Sequence, residues 1–130
     1  MSHSLRSLDT KPISFSAPEN EQLNPIGIIE SERSAVLLSE LCPDLIWLAY
    51  SYNSNLTIEK FEPLQGHKIT LYPRSDPNQE YYLSFLELAD QVKRAYKSID
   101  ISVSSFLENN ASDNQKIRNV DLLEFMCETN

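Results

Sequence analysis

Glycine is scarce in this chain: Gly27 and Gly66 are the only two among 130 residues. Loops that wrap phosphates need several glycines close together, so P-loop and dinucleotide-binding fingerprints are excluded. Cysteine is equally scarce. Cys42 and Cys127 stand far apart in helix-like surroundings, and zinc sites normally use three or four ligands. The two read as buried free thiols rather than a disulfide or a metal pair. No apolar run approaches the roughly 18 residues of a membrane span. The opening MSHSLRSLDTKP lacks an apolar segment of signal type, so a cytoplasmic location is the expectation. Basic residues are outnumbered, 11 Lys and Arg against 19 Asp and Glu, giving a net charge of −8. That balance argues against strong nonspecific nucleic-acid binding, which is driven by cations releasing phosphate counterions. The densest basic patch, Lys93, Arg94 and Lys97, fits a solvated helix face.

What is present suits one domain with one core. Residues 1–24 are polar and aperiodic and read as a flexible leader to an α/β domain at 25–130. Ile26–Ile29 has strand character. Ser31 to Cys42 is helix-like, with Ser31 as cap, Ala35, Leu37, Leu38 and Leu41 as its apolar side, and Pro43-Asp44 as its stop. Leu45–Ala49 is an unbroken apolar run, as in a strand covered on both faces. Thr57 opens a short helix that ends near Pro63 and Gly66, and Lys68–Tyr72 is the next strand. Tyr81–Lys97 is the longest helical segment. Ile99, Ile101 and Val103 alternate as a strand, 109–116 reads as a polar loop, and Val120–Cys127 is a last short helix. Strand and helix alternate, which predicts a mainly parallel four-stranded sheet flanked by helices and joined by right-handed crossovers.

Two segments carry chemistry. Ile26–Ile29 ends on Glu30, and a helix starts at once with Ser31-Glu32. The strand Ile69-Thr70-Leu71-Tyr72 runs into Pro73-Arg74-Ser75-Asp76. Ligands of open α/β sheets bind at strand carboxyl ends, and magnesium takes hard oxygen ligands, often one or two carboxylates. Glu30 and Asp76 are therefore the metal candidates, and Glu30 the catalytic one. Glu32 and Arg74 are the accompanying binding candidates. Arg74 reverses the local sign and is expected to pair with one of the acids, leaving magnesium weak or lost and no other cofactor expected. Acidic residues in a first helical turn also favour the helix dipole by a few tenths to about one kcal/mol, a plain structural use of Glu30 and Glu32. Trp47 reads as core. Tyr50, Tyr52, Tyr81 and Tyr82 could form an aromatic surface or lie partly in the core. His67 has no Ser or Cys constellation around it, so no triad is supported.

The strand-Glu-helix segment IIESERSA, the Ile46-Trp47-Leu48-Ala49 strand and the later Leu64-Gln65-Gly66-His67-Lys68-Ile69-Thr70-Leu71-Tyr72-Pro73 segment resemble Toprim domains, the α/β module of primases, topoisomerases and related nucleases. The similarity is greatest to Toprim-like domains of primase-type proteins from Bacteroidetes mobile elements and phages. Asn119-Val120-Asp121-Leu122-Leu123-Glu124-Phe125 is similar to the acidic-apolar helix that closes such domains. The resemblance covers roughly residues 25–128 and rests on the order and spacing of short motifs. It implies that Glu30 holds the Toprim glutamate position, used for acid/base work or metal coordination, and that Asp76 is the second aspartate of an Asp-x-Asp motif. Arg74 replaces the first. The loop after Ala49 also departs, with Tyr50 to Asn55 where related sequences tend to have glycine.

The expected function is a degenerate Toprim-like module that binds or scaffolds in mobile-element replication, more a partner of other replication proteins than a catalyst, with weak nucleic-acid binding and no membrane role. One alternative is an active magnesium-dependent primase or nuclease-like enzyme using Glu30, Glu32 and Asp76. A second is an unrelated α/β protein-interaction domain.

Overall fold

Short apolar runs become parallel strands, and each is followed by a segment that returns across the sheet. The computed structural model describes residues 6–7, 23–50 and 56–129. Five strands, β1 (Arg6–Ser7), β2 (Ile26–Ile29), β3 (Ile46–Ala49), β4 (Lys68–Leu71) and β5 (Asp100–Val103), form one sheet in the order β1-β3-β2-β4-β5. Every pairing is parallel. The predicted four-stranded parallel sheet is there, and the two-residue β1 adds an edge beside β3. Apart from 6–7 and 23–24, the expected leader lies outside the described residues.

Helix α1 (Glu32–Leu41) links β2 to β3, and α2 (Glu80–Ala95) links β4 to β5. Between β3 and β4 runs a 3₁₀ segment, Ile58–Leu64, with Pro63 inside it. Three short helices close the chain: α3 (Phe106–Asn110), α4 (Asp113–Ile117) and α5 (Leu122–Thr129). Step direction sets which face each connection covers. β2 steps one way to β3, and α1 packs with Ile29, Trp47, Ala49 and Leu123 of α5. The steps from β3 to β4 and from β4 to β5 run the other way, and the 3₁₀ segment and α2 cover Ile28, Leu48, Ile69, Leu71 and Ile101 on the opposite face. Right-handed crossovers require this reversal of face with direction.

Trp47 is 1% exposed, as its unbroken apolar run predicts. Its indole donates to the Cys42 carbonyl at 3.1 Å and lies against Tyr72, ring centres 5.2 Å apart. Gly27 is its register partner on β2. A Cβ on Gly27 would sit 2.8 Å from Trp47 Cζ3, so this glycine exists for the close approach of the ring. Gly66 has φ +92 and makes the turn into β4.

Several expectations are corrected. Leu37 and Leu41 face outward on α1. Ser34 and Ser39 take buried places on α1 instead, because each finds a hydrogen-bond acceptor there. Cys42 is half-buried and Cys127 exposed, both free. The supposed polar loop 109–116 holds the end of α3 and most of α4. A reciprocal cap between Ser112 and Gln115 starts α4, and such caps offset poor intrinsic propensity. No helix among the described residues is long and apolar enough to cross a membrane.

Candidate functional site

The chain leaves β2 onto one face of the sheet and leaves β4 onto the other, and these strands are neighbours. That makes a topological switch point, where open α/β sheets place their ligands. Glu30 follows β2 directly, and Arg74 follows β4 by three residues. The structure brings them together: Arg74 Nε donates to Glu30 Oε1 at 2.5 Å. Arg74 Nη1 donates to the Asn119 carbonyl at 3.0 Å and lies 3.7 Å from Glu124 Oε1. Burial alone would lower the guanidinium pKa, but the Glu30 hydrogen bond and the charges of Glu30, Asp121 and Glu124 raise it. Arg74 is the counter-ion of this acidic group.

The C-terminal segment completes the arrangement. Asn119 has φ 56, a left-handed conformation that Asn tolerates, and its side-chain amide donates to the carbonyls of Ser75 and Lys116. Ser75 is fully buried, and both its backbone N–H and its hydroxyl donate to the Val120 carbonyl at 3.0 Å. Asp121 and Glu124 cap α5 reciprocally: Asp121 N–H donates to Glu124 Oε1, and Glu124 N–H donates to Asp121 Oδ1, each at 2.9 Å. The other Asp121 oxygen accepts from Ser34 Oγ at 2.6 Å, a buried bond that ties α5 to α1. The loop after β4 is thus knitted to the loop before α5.

Asp76 has a different task. Its Oδ1 accepts from Asn78 N–H at 2.9 Å, and its Oδ2 accepts from the N–H groups of Glu80 and Tyr81 at 2.5 and 3.2 Å. It spends both oxygens on an Asx turn and on the first turn of α2, where orphan donors and the helix dipole favour a carboxylate. The acids acting on Arg74 are Glu30, Asp121 and Glu124. Glu32 is exposed in the first turn of α1. Among the described residues, no three His, Cys, Asp or Glu side chains are grouped to hold a metal ion.

Tyr50 lies within electrostatic reach of the Glu30–Arg74 pair. Burial pushes its phenol well up, Glu30 and Tyr81 add to this, and Arg74 offsets part of it. Its ring meets Phe85 edge-on at 6.2 Å, so Tyr50 joins the core to the site. Tyr81 is exposed and Tyr82 half-buried, while Tyr52 lies outside the described residues. Sequence reasoning missed Asn119, Asp121 and Glu124 as neighbours of Arg74. Their signal was the Asp-x-x-Glu capping pattern, which marks a helix start but not what it faces.

A family described as a domain of unknown function, DUF6371, matches residues 16–75, the stretch that contains both Glu30 and Arg74. No curated protein matches the chain, and no solved structure does.

Proposed function

We propose that this chain is a degenerate Toprim-like domain, a non-catalytic binding or scaffolding module that works with the replication or primase proteins of mobile elements. The Glu30–Arg74 ion pair at the β2/β4 switch point carries the reading. A guanidinium holds the ground where a catalytic divalent ion would need to be drawn in. Magnesium would have to displace Arg74 from a charge-assisted hydrogen bond worth about 1.5–3 kcal/mol, and Asp76 would have to leave the α2 terminus to join it. The net charge of −8 supports weak contact with nucleic acid and so favours a protein as the working partner.

Calorimetric titration of the intact chain with magnesium and manganese tests this. The expected result is binding in the millimolar range or weaker, together with weak binding of single-stranded and duplex DNA at physiological salt. Micromolar magnesium binding that Glu30→Gln abolishes would overturn the reading in favour of a metal-dependent enzyme. Sub-micromolar DNA binding would overturn the choice of partner.

A further inference from the structure

Three short helix starts in the last quarter of the chain carry the capping-box pattern: Ser105-x-x-Glu108, Ser112-x-x-Gln115 and Asp121-x-x-Glu124. The second and third are closed in both directions. The first is open. Ser105 makes no side-chain cap bond, and its hydroxyl accepts from the Asn109 side chain at 3.4 Å instead. Glu108 has turned away from its cap and is 9% exposed. Neither of its carboxylate oxygens has a hydrogen-bond donor among the described residues.

A buried ionised carboxylate without donors is costly, and a neutral one much less so. Asp76, on the loop before α2, and Lys116, on α4, are the charged groups that act on Glu108. Burial raises its pKa, Lys116 lowers it and Asp76 raises it. The Lys116 ammonium donates to the Glu108 backbone carbonyl at 3.2 Å. An ionised Glu108 has a better place at the start of α3, where the Ser105 N–H would receive it as in the two closed boxes.

We propose that Glu108 is a proton-dependent latch: neutral, it is buried between α3, α4 and the Asp76 loop; ionised, it swings out to close the capping box with Ser105. The swing loosens α3 from α4. Because Asn119 bonds to the Lys116 carbonyl and its own carbonyl receives Arg74, the motion reaches the switch-point site through α4.

Thermal unfolding of wild type and Glu108→Gln between pH 4 and pH 8 tests the latch, with the Ser105 amide followed by NMR over the same range. Near pH 4 both side chains are neutral, and the two melting temperatures should coincide. As pH rises the variant should become the more stable, by about 3–6 °C at pH 8. The wild-type Ser105 amide proton should move downfield with a midpoint above the ordinary glutamate value, and in Glu108→Gln it should stay still. A variant less stable than wild type at pH 8 would mean that the fold favours the ionised carboxylate over the neutral one, overturning the proposal. Equal stability throughout, or a Ser105 amide that does not titrate in wild type, would overturn it equally.

Discussion

Arg74→Asp is the sharpest perturbation, because it places an aspartate two residues before Asp76 and reverses the charge that organises the site. In the wild type, Arg74 gives Glu30 a half-buried charged hydrogen bond at 2.5 Å, worth about 1.5–3 kcal/mol. The Glu124 contact at 3.7 Å involves a half-exposed carboxylate and adds at most about 1 kcal/mol. Substitution loses both and adds repulsion. At about 5 Å and an effective dielectric near 20, each like-charge pair costs ~3 kcal/mol before solvent screening. A net loss of about 3–5 kcal/mol is expected, part of which a cation can recover. With a dissociation constant tightened to about 0.1 mM in the variant, roughly 1 mM magnesium stabilises it by RT ln 11, about 1.4 kcal/mol, or about 3–6 °C in melting temperature. Thermal unfolding with and without magnesium should therefore show a rise in Arg74→Asp and almost none in wild type. Arg74→Met, which removes the charge without adding another, should fall between them. No magnesium-dependent rise in Arg74→Asp would refute the idea that Arg74 keeps a cation out of this site. An equal rise in wild type would show that the guanidinium does not block metal at all.

Gly27→Ala should cost about 1–3 kcal/mol through overpacking, since its Cβ would meet Trp47 Cζ3 at 2.8 Å. Urea unfolding measures the loss, and a shift in Trp47 fluorescence should accompany it. Asp76→Ala should cost about 1–2 kcal/mol by uncapping α2, with Asp76→Asn recovering most of it. A loss that appears only when magnesium is present would instead mark Asp76 as a metal ligand. Hydrogen bonds from Arg118 and then Gln115 hold Glu128 down to about 2, below its ordinary 4.5. Its ionised form is thus favoured in the folded state, so its contribution is present above the ordinary value and lost as pH falls towards about 2. Glu128→Gln should lower the melting temperature slightly at pH 6 and not at all once the wild-type carboxylate is protonated, the effect being small because the pair is exposed.

Local pattern in the chain establishes the class of fold and brings Glu30 and Arg74 forward as residues of the site. Apolar runs at Ile26–Ile29 and Leu45–Ala49, a period of two near Ile101 and intervening helical segments are local patterns, and alternation of such patterns leads to a parallel sheet. Glu30 at a strand end and Arg74 in an acidic tip were visible in the same one-dimensional way. What these groups touch depends on long-range packing. Arg74 meets Glu30 and Asn119 across 44 and 45 residues, and Asp76 turns to the α2 backbone although nothing in Arg74-Ser75-Asp76 states a direction. Leu37 and Leu41 faced solvent and Ser34 was buried because Asp121, 87 residues away, offered Ser34 an acceptor. Periodicity records how a segment sorts its own side chains between two faces. It carries no information about which distant loop will supply a donor, an acceptor or a counter-charge, and at this site those distant partners set the chemistry.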